Sequence, residues 1–195
     1  MKLSHISYLA AVALVGLTSC NDFLDKVPDT RVELKTPEQL RMLLVNGYPT
    51  GSYSSICELS SDNMIDNNSP NDQGVRYNLG AYDIIDNELF AFEDAKATNG
   101  EDTPSGVWEA YYHSIACANA VLERVEELEE EGQGDDPEVK AVKGEALLIR
   151  SYGHFILANI FCEAYRGPEL SKSIKGIPYI TKPETKVLVQ YERGT

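Results

Sequence analysis

An all-α fold built around a hairpin of two long helices is what this sequence predicts, and three observations carry it. Trp108, Tyr111, Ile115, Ala118, Leu122 and Val125 recur at every third or fourth residue, the spacing that gathers side chains on one face of a helix. Val139, Val142, Ala146, Ile149, Gly153, Ile156 and Ile160 repeat the pattern. Between the two stripes stand Gly132-Gln133-Gly134, a helix stop, and Asp136-Pro137, a cap followed by a first helical residue. So short a link makes the helices antiparallel neighbours, with Ala146 and Ile149 expected to face the stretch from Ile115 to Leu122. Leu148, Tyr152 and Phe155 add a second apolar stripe to the second helix. Its back half is therefore expected to pack on two sides.

The elements before the hairpin follow in order. Lys2 and an apolar run from Ile6 to Leu17 make a leader. The run is too short to cross a bilayer, which takes about 20 residues, and it has the length of a signal-peptide core. Leu17-Thr18-Ser19-Cys20 closes it, a branched apolar residue, two small residues and a cysteine, which reads as a bacterial lipobox. Residues 1–19 are expected to be removed and Cys20 to carry lipid, with 20–35 as a polar tether. Two or more acyl chains at one residue hold firmly where a single chain is marginal. Thr36-Pro37-Glu38-Gln39 then opens a helix with a capping box, and Leu40, Leu43 and Leu44 form its face until Gly47.

Residues 48–106 lack a long apolar period and are crowded with Ser, Asn, Asp and Gly, which favour turns. Such length without a long helix predicts short helical turns and a functional role. The helix hairpin spans about 107–161, and an extended tail covers 163–195. A helix pair that opens on Trp and closes on aromatics loosely resembles a tetratricopeptide-type repeat.

Composition narrows the chemistry. The chain has 195 residues, 31 Asp plus Glu against 17 Lys plus Arg, and a formal net charge of −14. A nucleic-acid backbone binder needs clustered cations, so that class is excluded. Cys57, Cys117 and Cys162 show no zinc-ligand or CxxC spacing and are expected as free thiols. His113 and His154 have no metal-ligand company, and there is no P-loop, G-x-S-x-G or G-x-G-x-x-G. No metal, cofactor or catalytic residue is expected. The acidic run 126–131 reads as a solvated helix face. Sugar recognition needs flat aromatics for the apolar ring faces and Asn, Asp, Gln or Arg for the hydroxyls. The irregular segment offers that mixture in Asn71, Asp72, Gln73, Arg76, Tyr77, Tyr82, Asn99 and Asp102, the candidate ligand-binding residues. Trp108 is assigned to the core stripe.

Several of these pieces coincide in a family pattern. The lipobox Cys20 followed by NDFLD, ELSSDNMID at 58–66, W-x2-YY-x2-I-x3-N at 108–119, GEALLIRSYGHFILANIF at 144–161, GIPYITKPET at 176–185 and the closing YERGT resemble the SusD/RagB family. The resemblance implies a lipoprotein of the outer membrane, facing the cell exterior, that captures glycans and hands them to a partner TonB-dependent transporter. It also implies an all-α fold in which tetratricopeptide-like pairs support an irregular, loop-rich ligand-binding subdomain. The match corresponds to the N-terminal portion of such proteins, and Gly194-Thr195 resembles a helix cap without its helix, so the chain reads as truncated. In that case Leu148, Tyr152 and Phe155 should be partly exposed. A peptide-capturing member of the same family and a helical interaction scaffold without a small ligand are the alternatives.

Overall fold

Each helix begins where a side chain satisfies the backbone donors that the first turn leaves over. In α1 (Pro37–Asn46), Thr36 Oγ1 accepts the Gln39 N–H at 3.3 Å. Gln39 Oε1 in return accepts the N–H groups of Thr36 at 3.2 Å and Lys35 at 2.8 Å. Two short helices follow, α2 (Ser54–Leu59) and α3 (Ile84–Phe90). α4 (Pro104–Leu128) starts on Thr103, whose Oγ1 accepts the Gly106 N–H at 3.1 Å. It widens into a π-type turn at Glu129–Gln133. α5 (Pro137–Phe161) starts on Asp136, which accepts the Glu138 N–H at 2.8 Å. Lys143 Nζ reaches both carboxylate oxygens of Glu129 at 2.8 Å, tying the two helices where the chain reverses.

This computed structural model describes residues 34–65, 70–75, 84–96, 100–185 and 189–194. The leader, Cys20 and the tether up to residue 33 lie outside the described residues. Among those described the fold is all-α, as expected, with Lys35–Thr195 forming one unit.

The hairpin holds the core. Tyr111, Ile115, Ala118, Leu122 and Val125 of α4 are buried, as are Val139, Val142, Ala146, Ile149 and Ile156 of α5. The helices approach closely at Gly153, where an added Cβ would stand 2.9 Å from Ile115 Cγ1 and 3.2 Å from its Cδ1. Ile115 is itself fully buried, so it has no room to withdraw. α1 packs across both long helices and contributes the fully buried Leu40 and Leu44, each worth roughly 1.5–3 kcal/mol of burial. Gly47 ends α1 in an ordinary right-handed conformation. Its glycine is needed for space, since a Cβ would lie 2.6 Å from that of Cys117, and Ser114 Oγ donates to its carbonyl.

The irregular segment does fold into short helical turns. Ile56 of α2 and Ile85 and Leu89 of α3 join a cluster with Val107, Tyr111, Ile115, Ile156, Leu157 and Ile177. Glu88 is buried, and its carboxylate accepts the Lys96 N–H at 2.8 Å to close the loop after α3.

Of the two expectations for the second stripe of α5, its burial is corrected and the partial exposure of Leu148, Tyr152 and Phe155 holds. The back half of α5 is packed on two sides, but the second buried side carries His154 and Leu157. Leu148, Tyr152 and Phe155 are 68%, 46% and 62% exposed. The reason is the chain after α5: a 3-10 turn at Leu170–Ser173 leads into an extended strap, residues 174–185, which lies against α4 and α5 and buries Ile177. Pro178 and Arg193 form an antiparallel bridge, with the Gly176 N–H donating to the Gly194 carbonyl at 2.7 Å.

The close approach at Gly153 sets up a paired test. Gly144 has open space around its Cα, so Gly144→Ala should stabilise by about 0.5–1 kcal/mol through helix propensity. Gly153→Val should destabilise by about 1–3 kcal/mol through overpacking. Urea unfolding of both variants, followed by circular dichroism, measures the two signs.

Candidate functional site

The strap creates a cleft of about 230 Å3 between itself and the start of α4. Trp108, Tyr112, Ile115 and Ala116 form its floor, Pro178, Ile180, Lys182 and Glu184 its outer wall, and Tyr191 closes one side. The rings are not isolated. Phe161 meets Trp108 edge-on with centroids 5.1 Å apart, and Trp108 lies 4.8 Å from Tyr112. Tyr112 faces His154 at 6.5 Å, and His154 stands 4.5 Å from Tyr179 of the strap. Such edge-on and tilted pairs suit aromatic quadrupoles and fix each ring against its neighbour.

Buried polar side chains on the hairpin hold the strap's backbone. The Tyr112 hydroxyl donates to the Pro178 carbonyl at 2.9 Å. Asn119, almost fully buried, donates through Nδ2 to the carbonyls of Ile180 at 3.2 Å and Lys182 at 3.4 Å. Arg150 donates to Asn119 Oδ1 at 3.3 Å and to the Thr181 carbonyl at 3.2 Å. The Ile180 N–H donates to His154 Nε2 at 3.1 Å. Among the described residues no buried side-chain nitrogen or oxygen lacks a partner. At the rim the Tyr191 hydroxyl donates to Glu184, and Arg193 donates to the carbonyls of Gly176 and Lys175.

These surroundings set the protonation states. Burial, with the nearby Cys162 adding to it, pushes the Tyr112 phenol up to about 12, so it stays a donor. The bond to Glu184 pushes Tyr191 up to about 12 as well. Burial lowers His154 below its ordinary value, and burial raises the Cys117 thiol. Cys57, Cys117 and Cys162 are free thiols.

The residues singled out in the sequence fall in two places. Asn71, Asp72 and Gln73 sit in one turn, where Asn71 Oδ1 accepts the N–H groups of Gln73 at 3.0 Å and Val75 at 2.9 Å. Asp72 and Gln73 are exposed. Asp102 accepts the Ser52 N–H at 2.7 Å and so ties the chain after α1 to the start of α4. Asn71 and Asp102 thus spend acceptor capacity on the backbone, and neither they nor Asp72 and Gln73 line the cleft. Arg76, Tyr77, Tyr82 and Asn99 lie outside the described residues.

The SusD-like family model, described as starch-binding associating with outer membrane, matches residues 22–195. The chain belongs to the SusD-like family. No curated protein and no solved structure matches it.

In this SusD-like chain the cleft residues escaped the reading of the sequence. Trp108 carries the helix period and reads as core, which its inner face is, and Tyr112, off that stripe, packs partly against the same cluster. Their pairing with Lys182, Glu184 and Tyr191 joins positions more than sixty residues apart, for which no local signal exists. What the cleft offers chemically is a half-buried aromatic floor with one cation and one carboxylate at the rim. That combination can cover the apolar face of a ring and bond to polar groups at its edge.

The strap's attachment is testable through Asn119. Replacing it with Ala leaves two strap carbonyls and Arg150 without that partner, an expected cost of about 1–3 kcal/mol. Tryptic cleavage after Lys175, which precedes Gly176, should accelerate, as followed by mass spectrometry under native conditions.

Proposed function

We propose that this protein is a lipoprotein of the outer membrane, facing the cell exterior, that captures oligo- or polysaccharides and delivers them to a partner TonB-dependent transporter. Family membership over residues 22–195 is the observation that carries the reading. The leader ending in Leu17-Thr18-Ser19-Cys20 supports export and lipid attachment at Cys20. Among the described residues no helix is long and apolar enough to cross a membrane. In this reading the protein binds its ligand and leaves it chemically unchanged.

Two surfaces suit glycan contact. The cleft seats one ring on Trp108 and Tyr112, with Tyr191, Lys182 and Glu184 meeting hydroxyls. Asp72 and Gln73, exposed on their turn, offer a second contact, and Asn71, Arg76, Tyr77, Tyr82, Asn99 and Asp102 stay candidate ligand-binding residues on the chemistry of their side chains. A polysaccharide long enough to reach beyond one ring can use more than one such surface.

Affinity electrophoresis of the purified protein through gels containing starch and other polysaccharides tests this directly. Retardation by a glycan is the expected result. Tyr191→Ala and Lys182→Ala, both at exposed positions, should weaken it by up to about tenfold, equivalent to about 1.4 kcal/mol. Free migration through every polysaccharide, with binding to oligopeptides instead, would contradict the proposal.

A further inference from the structure

The wall of the cleft is fastened to a group that titrates. His154 is buried between α4, α5 and the strap, and both of its ring nitrogens are engaged. Nδ1 lies 2.8 Å from the Arg150 carbonyl oxygen, which can only accept. Nε2 lies 3.1 Å from the Ile180 N–H, which can only donate. A single arrangement satisfies both contacts: the neutral imidazole with its proton on Nδ1 and a bare lone pair on Nε2. A second proton would sit on Nε2 and point at the Ile180 N–H, setting donor against donor inside the core.

The groups facing the ring do not offset that conflict with an opposite charge. From its own helix comes the Arg150 guanidinium, whose positive charge opposes a second proton. From α4 comes the Tyr112 ring, with a phenol held in its neutral form. From the strap comes the Tyr179 ring. The two aromatic faces give an imidazolium some attraction, but burial and Arg150 act against it.

We propose that His154 is an acid-sensitive latch, whose protonation releases the middle of the strap from the hairpin and opens the cleft. The strap segment at stake, Pro178 to Glu184, is the cleft's outer wall, so its release removes the surface facing Trp108. Opening also gives up the bonds from Tyr112 to the Pro178 carbonyl and from Asn119 to the Ile180 carbonyl, whose groups then turn to water, while the buried contacts between α4 and α5 remain and the change stays local to the strap. The sign follows from the lowered His154 value. The strap stays closed above the ordinary histidine value of 6.5. It opens as pH falls through the lower value of the folded state, because the open form binds the proton more tightly. The latch is independent of what the cleft holds.

Trp108 is the chain's single tryptophan, so its fluorescence reports the cleft alone. Acrylamide quenching of the purified protein should show Trp108 well shielded at neutral pH. It should lose that shielding in one transition on the acid side of 6.5, with the helical circular dichroism retained. His154→Gln keeps an acceptor that does not titrate and should abolish the transition, whereas His113→Gln, at an exposed site, should leave it in place. A wild-type protein without the transition, or a His154→Gln protein that retains it, would overturn the proposal. Nitrogen chemical shifts of the His154 ring give a check that needs no variant. The Nδ1–H form above the transition supports the latch, and the Nε2–H form contradicts it.

Discussion

A stretch of extended backbone with no sheet to join must find partners for its peptide groups elsewhere, and that requirement organises the side of this molecule on which the cleft lies. The strap pairs with another extended segment at Pro178 and Arg193. From Pro178 to Lys182 four of its carbonyls and the Ile180 N–H meet Tyr112, Asn119, Arg150 and His154. Each of these side chains is placed by a helix, so the strap inherits the rigidity of the hairpin. The cleft is a by-product of that docking: wherever the strap bridges over Trp108 and Tyr112 without filling the space, a partly aromatic hollow remains.

The hairpin can serve as a platform because its helices touch closely and leave little freedom. Gly153 lets α5 approach Ile115, and Gly47 lets the end of α1 approach Cys117. These contacts hold Tyr111, Tyr112 and Asn119 on one side and Arg150, His154 and Leu157 on the other in a constant relation. Polar groups in such a place cost stability unless all are bonded. Here they are bonded through one connected set in which Arg150 braces Asn119 and both hold the strap. The same connectedness makes the set sensitive to one added proton, because His154 must act as donor on one side and acceptor on the other.

Much of the fold was legible because its signals are local. Thr36-Pro37 with Gln39, and Asp136 with Pro137, announce helix starts through side chains that cap their own first turns. The stripes on α4 and α5 declare the face that each helix buries. What stayed hidden depends on partners distant in sequence. Taken with its own helix alone, the apolar stripe of Leu148, Tyr152 and Phe155 invites a cover, yet the strap covers the His154 and Leu157 side instead, and nothing within the helix says where the strap will lie. The Asn and Asp residues before α4 show the converse. A ligand-binding Asn and a turn-forming Asn have the same composition, and Asn71 and Asp102 prove to brace the backbone. The cleft itself was illegible, since Trp108 fits the core pattern on one face while its other face meets the strap.

The central claim is that the strap is an integral layer of the fold, fastened by buried side chains, and its most direct test is amide hydrogen exchange at Ile180 in the native protein at neutral pH. The account predicts that this amide, although outside any helix, is protected to a degree comparable with the interior of α4 and α5, because its hydrogen bond to His154 opens only when the strap lifts. Exchange as fast as that of the exposed chain at 163–166 would contradict it.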